Sequence, residues 1–406
     1  EGTPVSLNSQ VSAERLHIGF FGLRNAGKSS VVNAVTGQAL SLVSAVKGTT
    51  TDPVHKAMEL LPLGPVVVID TPGLDDEGEL GEMRVRRARQ VLAKTDIAVL
   101  VVDAALGMQP QDEALCAVFR ERQAPYIVAL NKCDLLAEIP AAKEHEIYVS
   151  ARRGDNIYQL KEAIAAIARL PKPDKRIVGD LLEENDVALL VTPIDASAPR
   201  GRLILPQQQT LRDILDCGAV GMAVQTPQLP AALAALKAPP KLVITDSQAF
   251  EAVSRMTPEE IPLTSFSILF MRYKGELAHA VRGAAALDRL RDGDTVLISE
   301  GCTHHRQCED IGTVKLPGWL NRYTGKRLQY RFTSGGEFPE DLSGISLAVH
   351  CGGCMLNERE MKSRVARAAA AGVPITNYGV AIAQMHGVLR RALSPFPGLA
   401  AQLETR

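Results

Sequence analysis

Two short clusters of cysteine and histidine near the end of the sequence have the residue types of a metal centre. The first is Cys302-Thr303-His304, and the second, further along, is His350-Cys351-Gly352-Gly353-Cys354. Thiolate and imidazole groups select zinc, copper(I) or an iron–sulfur cluster over magnesium. Spacing alone leaves four interpretations open, which are packing thiols, a redox disulfide, structural zinc with Cys3His or Cys2His2 ligands, and an iron–sulfur cluster.

Each cluster comes just after a segment with the pattern of a buried strand, at residues 295–299 and 345–349. In an open parallel sheet, ligands bind where the strands end. We therefore expect Cys302 to lie close to Cys351 and Cys354 in a single centre. The two glycines between the last pair leave the turn free to wrap around a bound group.

The first part of the sequence has the residues of a phosphate-binding loop. Residues 22–29 follow a predicted strand and open a predicted helix, which is the context that a P-loop requires. Backbone N–H groups and the helix N-terminus would hold the phosphates. Lys28 would reach the β- and γ-phosphates, and the Ser29 hydroxyl would ligate magnesium. The predicted phosphate-binding residues are Gly22, Asn25, Ala26, Gly27, Lys28, Ser29 and Ser30.

Two further motifs complete the predicted magnesium and γ-phosphate site. Asp70 ends an apolar strand, where its carboxylate can bind magnesium through water, and the N–H of Gly73 can contact the γ-phosphate. Thr50 is the predicted switch threonine and a second magnesium ligand. The predicted catalytic residues are Lys28, Thr50, Asp70 and Gly73.

The base-recognition residues follow two later strands. Asp134 can accept both N–H bonds from the guanine edge, an arrangement that adenine cannot offer, and the stem of Lys132 can lie on the base. Asn131 begins this motif, and Ser150-Ala151 supplies a backbone N–H for the guanine oxygen. Together these motifs predict a site for GTP and GDP.

The elements that carry these motifs alternate between strand and helix along the whole chain. This alternation predicts an α/β protein with three consecutive α/β domains, the first a P-loop GTPase with a mostly parallel sheet and the others smaller parallel units. The predicted boundaries are 1–172, 173–265 and 266–406. Strands are predicted at 18–21, 66–69, 97–102, 126–130, 187–191, 219–224, 242–244, 267–271, 295–299 and 345–349. Helices are predicted at 30–36, 81–93, 112–122, 157–168, 208–215 and 358–371.

Composition excludes some classes of partner. The 406 residues include 45 Lys plus Arg against 46 Asp plus Glu, and only 4% are aromatic. We therefore expect no nucleic-acid partner and, since the apolar runs are short and no signal segment opens the sequence, no membrane. Seven cysteines without a secretory signal predict reduced thiols in the cytoplasm.

The nucleotide motifs resemble the Era/TrmE-type branch of the translation-factor-like GTPases, through residues 25–30 and 48–50. That resemblance implies a potassium ion that bridges the phosphates beside Asn25. Leu74 stands where Ras-like enzymes carry a water-orienting glutamine. Because leucine cannot orient water, we expect slow intrinsic hydrolysis that potassium stimulates.

The cysteine and histidine clusters, on a chain that begins with such a GTPase, resemble the FeFe-hydrogenase maturation GTPases. The resemblance implies a GTP-binding domain, a dimerisation domain that forms a homodimer, and a domain that binds a 4Fe–4S cluster. It further implies a scaffold that holds the transient diiron subcluster precursor and delivers it to the apo FeFe-hydrogenase, with two radical-SAM maturases as upstream partners. Cys302, Cys351 and Cys354 would bind three irons, and His304 and His350 are the candidate ligands of the fourth.

Two other functions remain open from the residues. A ribosome- or tRNA-associated Era/TrmE-type GTPase with structural zinc would have the same nucleotide motifs, although no basic RNA-binding region accompanies them. A redox enzyme that uses Cys351 and Cys354 would need a substrate pocket, for which the sequence has no signal.

Overall fold

Alternation of strand and helix organises both of the compact units into which the chain divides, Glu1–Lys172 and Pro173–Arg406. This computed structural model describes residues 15–38, 54–71, 88–169, 175–193, 203–301, 311–335 and 337–400. The predicted α/β class is confirmed: both units consist of mostly parallel sheets flanked by helices.

The first unit contains one six-stranded sheet in the order β2-β3-β1-β4-β5-β6. Among the described strands of this sheet, only the β2–β3 pair is antiparallel. The strands are β1 (Leu16–Gly22), β2 (Val54–Leu60), β3 (Gly64–Asp70), β4 (Ile97–Asp103), β5 (Tyr126–Asn131) and β6 (Glu146–Tyr148). The helices are α1 (Lys28–Thr36), α2 (Pro110–Glu121) and α3 (Ile157–Ala168), and residues 88–92 are also helical.

Successive apolar residues of the central strands pack on opposite faces of this sheet. Along β3, Val66 and Val68 belong to one core cluster, and Val67 and Ile69 belong to the other. Each fully buried aliphatic side chain contributes about 1.5–3 kcal/mol. The sheet is therefore held rigidly from both sides, which fixes the carboxyl ends of β1, β3 and β5 where the nucleotide motifs lie.

The second unit contains two four-stranded parallel sheets, with the orders β10-β9-β7-β8 and β12-β11-β13-β14. Their strands are β7 (Val187–Val191), β8 (Val220–Val224), β9 (Leu242–Thr245), β10 (Leu263–Ser265), β11 (Thr295–Ser299), β12 (Gln329–Thr333), β13 (Ile345–His350) and β14 (Ile375–Asn377). The helices are α4 (Leu205–Asp216), α5 (Leu229–Ala235), α6 (Phe250–Met256), α7 (Phe266–Tyr273), α8 (Leu277–Ala284), α9 (Leu316–Thr324), α10 (Glu358–Ala370), α11 (Tyr378–Met385), α12 (Leu389–Ala392) and α13 (Pro397–Ala400).

The predicted strand at 267–271 is wrong, because these residues lie within helix α7. Ser265 caps the helix, with its side-chain oxygen accepting a hydrogen bond from the Ile268 N–H at 3.3 Å. Residues 268–271 are buried on all sides in a core shared by both sheets. A short apolar run without a polar face carries no periodicity, so it cannot distinguish a buried strand from a buried helix.

The other predicted strands are confirmed with small differences at their ends. The predicted helix at 81–93 lies partly outside the described residues, which begin again at 88. In the part of the chain that the structure describes, no helix is long and apolar enough to cross a membrane.

Candidate functional site

The P-loop follows β1 directly and turns into α1. Gly22 ends β1, and Asn25 and Gly27 adopt left-handed backbone angles, with φ values of 64° and 83°. A Cβ added to Gly27 would lie 2.3 Å from Asn131 Nδ2, so this position has no room for a larger residue. Ala26 is buried, whereas Ser29 is partly exposed at the beginning of α1. The predicted loop–helix junction is thus present.

Lys28 and Asp70 form a nearly buried ion pair at the ends of α1 and β3. Lys28 Nζ donates to Asp70 Oδ1 at 2.5 Å and to the Thr71 carbonyl at 2.9 Å. The Thr71 hydroxyl in turn donates to the Phe20 carbonyl at 2.8 Å, which fixes the backbone after β3. A phosphate would compete with Asp70 for the ammonium group and release a carboxylate oxygen toward magnesium.

Asn131 connects the P-loop with the base-recognition loops. Its side-chain Nδ2 donates to the Ala26 carbonyl at 2.9 Å, and its Oδ1 accepts from the Ala151 N–H at 3.0 Å. The residue is 2% exposed, so both bonds are protected from water. The predicted residues from three separate motifs are brought together by this one side chain.

Asp134, the carboxylate predicted to bind the guanine edge, is oriented by a serine. Ser150 Oγ donates to Asp134 Oδ1 at 2.6 Å and accepts from the Arg153 N–H at 3.1 Å. The hydrogen bond from Ser150 lowers the pKa of Asp134, which keeps it ionised as an acceptor. A cavity of about 690 Å³ opens beside these residues, and its walls include Gly27, Ser30, Asn131, Lys132, Asp134 and Ala151.

One further residue of this site, Asp103, is not predicted by the sequence motifs. Asp103, the last residue of β4, accepts a hydrogen bond from Lys132 Nζ at 2.6 Å through Oδ2 and one from the Ala105 N–H at 2.9 Å through Oδ1. It thereby holds the lysine stem that forms one wall of the cavity. Its position at a strand end was the signal that could have identified it. The predicted residues Thr50 and Gly73 lie outside the described residues.

At the other end of the chain, the predicted metal residues follow two neighbouring strands. Ser299 at the end of β11 pairs with His350 at the end of β13, and the Cys351 N–H donates to the Ser299 carbonyl at 2.9 Å. The expectation that these two strand ends are adjacent is confirmed. Cys302 and His304 lie outside the described residues, but Gly301 directly precedes Cys302 and is described.

Two backbone N–H groups contact the Cys351 sulfur. The Gly301 N–H donates to Sγ at 3.0 Å and the Gly353 N–H at 3.4 Å. Burial raises the pKa of the Cys351 thiol, and these two N–H groups oppose the shift. Such bonds favour the thiolate form and also tune the sulfurs of bound clusters. A Cβ at Gly301 would lie 2.7 Å from the Leu356 side chain. Because residue 301 is glycine, its backbone can approach the sulfur this closely.

Cys354 is also almost fully enclosed by protein atoms. Burial, with a further contribution from Cys351, raises the pKa of its thiol to about 12, while Lys274 opposes the rise. Lys274 is itself buried, and its Nζ donates to the Leu356 carbonyl just after the turn at 2.8 Å. Cys351 and Cys354 are free thiols, not a disulfide. A buried thiolate whose charge is not compensated is energetically unfavourable, and a bound metal or cluster would supply that compensation.

His350 is completely buried, and both of its ring nitrogens have partners. Nδ1 lies 2.8 Å from the Cys351 carbonyl and Nε2 lies 3.0 Å from Arg364 Nη1. Burial, followed by the charge of Arg364, lowers the pKa of His350 to about 3. In this arrangement the ring has no nitrogen left for iron. Among the described residues, no three His, Cys, Asp or Glu side chains assemble into a metal site.

Comparison with known proteins supports the reading of the first unit. The family model of the 50S ribosome-binding GTPase matches residues 17–132. The tRNA modification GTPase MnmE of Burkholderia orbicola is 34% identical over 164 residues, which cover 38% of this chain and 35% of that protein. GTPase Der of Kosmotoga olearia is 33% identical over 188 residues, 42% of each chain. The chain therefore spans well under half the length of these curated relatives.

Two solved structures are similar to part of this chain. A probable GTP-binding protein engB is 27% identical, covering 38% of this chain and 98% of that chain, with a TM-score of 0.31. Era of Aquifex aeolicus is 20% identical, covering 52% of this chain and 92% of that chain, with a TM-score of 0.32.

The parallel sheet, the P-loop and the match to a GTPase family model define the class as a P-loop GTPase. Two further family models match the rest of the chain, the hydrogen maturase F dimerization domain at residues 177–275 and the hydrogen maturase F tetramerization domain at residues 278–395. The chain belongs to the hydrogen maturase F family, and it carries the family's oligomerisation domains after its GTPase domain.

Proposed function

We propose that this protein is a GTP-hydrolysing scaffold that binds a 4Fe–4S cluster and assembles and delivers the diiron subcluster of the FeFe-hydrogenase. In this proposal residues 1–172 bind GTP, residues 173–265 join two copies, and residues 266–406 carry the cluster. Its partners are the apo-hydrogenase and two radical-SAM maturases. The diiron unit is cargo, whereas the 4Fe–4S cluster is resident.

The observation that carries the proposal is the environment of the Cys351 sulfur. Two backbone N–H groups point at a buried sulfur, and the one nearer to it belongs to the residue directly before Cys302. Cys302, Cys351 and Cys354 would hold three irons, and His304 and His350 are the histidine candidates for the fourth. The cluster, when bound, supplies an anionic iron–sulfur surface to which the precursor attaches.

At the nucleotide site, the residues of the chain bind and orient GTP. Ser29, Thr50 and Asp70 would hold magnesium, Lys28 would neutralise phosphate charge, and Asn25 would contact potassium. Hydrolysis is proposed to be slow and to time partner exchange rather than to drive cluster chemistry. Equal hydrolysis rates in sodium and potassium buffers would show that the potassium assignment is wrong.

Iron and acid-labile sulfide content after anaerobic reconstitution tests the cluster. We expect about four of each per chain in the unaltered protein, and a loss in Cys351→Ala and Cys354→Ala. Cys217→Ala is the matched control, because this partly buried thiol donates to the Ile214 carbonyl and lies outside the motif. Stoichiometric zinc without sulfide would refute the proposal and favour the ribosome- or tRNA-associated alternative.

Delivery requires a separate experiment. Reconstituted protein loaded with a synthetic diiron complex should activate apo-hydrogenase, and Cys351→Ala should not. Activation that is unaffected by Cys351→Ala would exclude this cysteine from the carrier site.

A further inference from the structure

A buried arginine lies next to the proposed cluster residues without belonging to the cysteine and histidine motif. Arg364, in the middle of α10, is 2% exposed. Its Nη2 donates to Glu360 Oε1 at 2.6 Å and to the Gly335 carbonyl at 2.7 Å. Its Nη1 lies 3.0 Å from His350 Nε2 and 3.4 Å from Ser299 Oγ. One guanidinium group thus joins α10, the loop after β12 and the ends of β11 and β13.

These partners determine the protonation pattern of His350. A guanidinium group can only donate and a carbonyl can only accept. His350 Nε2 must therefore accept from Arg364, and the Nδ1–H must donate to the Cys351 carbonyl. The imidazole is a neutral bridge between a fixed cation and the backbone of a proposed cluster ligand, held in one tautomer by the bonds at its two ends.

The same residues place the Cys351 sulfur. The Cys351 carbonyl is held by His350 at 2.8 Å, and its N–H by the Ser299 carbonyl at 2.9 Å. With both backbone groups fixed, the sulfur is directed toward the Gly301 N–H. Phe338 covers this arrangement, with its ring centroid 5.6 Å from the Arg364 guanidinium carbon and 6.4 Å from the His350 ring.

We propose that His350 is not an iron ligand, and that Arg364 and His350 are positioning residues that orient Cys351, with the Arg364 charge offset by its ion pair with Glu360. This inference rests on the proposed cluster function. A lysine could not replace Arg364, because a single ammonium group lacks the planar fork that reaches two directions at once. Loss of the guanidinium would leave the Glu360 carboxylate unpaired near the anionic cluster, which would make the cluster harder to reduce.

Histidine tautomers in the unaltered, metal-free protein test the inference, and a variant serves only to assign the signals. In nitrogen-15 NMR spectra of full-length protein with labelled histidine, the His350 signals should show a protonated Nδ1 and an unprotonated Nε2 at neutral pH. The loss of these signals in His350→Asn assigns them to His350. This variant is suitable because its side-chain amide can still donate to the Cys351 carbonyl. The opposite tautomer, or a charged ring, would overturn the proposed bridge.

Spectroscopy of the reconstituted full-length protein tests the positioning role. We expect His350→Asn to retain every strong nitrogen coupling of the reduced cluster in pulsed EPR. We expect Arg364→Lys and Arg364→Met to broaden the EPR signal and lower iron content at least twofold, and Arg364→Met also to lower the reduction potential. Arg367→Lys and Arg367→Met are the matched controls, since Arg367 on the same helix contacts Phe338 but donates to the Phe338 and Pro339 carbonyls.

The outcomes separate the two proposals. If unaltered protein takes up no iron and sulfide, the proposed function fails. If it loads a cluster but His350→Asn abolishes a nitrogen coupling, only the positioning inference fails. The same holds if each Arg364 variant matches its Arg367 control in EPR signal and reduction potential. GTP binding by each variant checks that the chain has folded.

Discussion

Replacing Gly27 by alanine should disturb the nucleotide site through Asn131 rather than through local backbone strain. The two effects can be separated because α1 is bordered by two glycines in left-handed conformation. Gly27 precedes the helix with φ 83° and Gly37 follows it with φ 67°. A Cβ at Gly27 would lie 2.3 Å from Asn131 Nδ2, whereas one at Gly37 would have nothing within 4 Å.

The magnitude follows from these contacts. A left-handed alanine costs roughly 1–2 kcal/mol at either position, and the gain from a less flexible unfolded chain is common to both variants. Only Gly27→Ala displaces Asn131, whose bond to the Ala26 carbonyl is buried. Leaving that carbonyl unsatisfied adds about 1–3 kcal/mol. We therefore expect Gly27→Ala to lower the free energy of unfolding of the first unit by about 1–3 kcal/mol more than Gly37→Ala does.

Amide hydrogen exchange of the nucleotide-free full chain measures this difference locally. Amides of β1 and β5 should exchange about 5- to 150-fold faster in Gly27→Ala than in Gly37→Ala, as 1–3 kcal/mol requires. In an Asn131→Ala background the extra cost should vanish, because the clashing partner is gone. Equal protection in the two glycine variants, or full additivity with Asn131→Ala, would refute the reasoning.

Three other substitutions have defined outcomes. Ser150→Ala should weaken GDP binding roughly tenfold. Because the hydrogen bond from Ser150 lowers the pKa of Asp134, the variant should have a higher Asp134 pKa. When GDP affinity is measured as the pH is lowered, it should therefore begin to fall at a higher pH in the variant than in the unaltered protein. Asp103→Asn replaces a charge-assisted bond to Lys132 at 2.6 Å by a weaker one, so GDP should dissociate severalfold faster in stopped-flow displacement, and an unchanged rate would contradict this role. Gly301→Ala should lower iron content after reconstitution with GDP affinity unchanged, because its Cβ would meet a leucine side chain at 2.7 Å; normal iron content would show that the glycine is not needed.

The nucleotide site was predictable because its signals are local. Each motif is a few residues long and follows an apolar strand, so the order of strands and motifs was enough to place Lys28, Asp70 and Asp134. The connections between motifs were not predictable. Asn131 contacts Ala26, 105 residues earlier in the chain, and nothing in either segment shows that the amide reaches it.

His350 shows the same limit at the metal end. Its place in the motif made it a candidate ligand, since the sequence alone shows a histidine beside a cysteine. What occupies its nitrogens depends on Arg364, which lies in a different element and carries no motif of its own. A residue's neighbours in the fold, not its neighbours in the chain, decide whether an imidazole is available to a metal.

Helix α7 packs against both four-stranded sheets of the second unit, so the structures of these two sheets depend on each other. Its cap, Ser265, belongs to the first sheet of the second unit, and its four central residues are buried in the core common to both sheets. Ser267 accepts hydrogen bonds from Asn377 Nδ2 and the Gly379 N–H, each at 3.2 Å, and a Cβ at Gly352 would lie 3.4 Å from it. The beginning of the helix thus contacts both the end of β10 and the Cys351–Cys354 turn. Since packed interiors are close to crystalline density, a displacement of α7 cannot be absorbed without moving that turn.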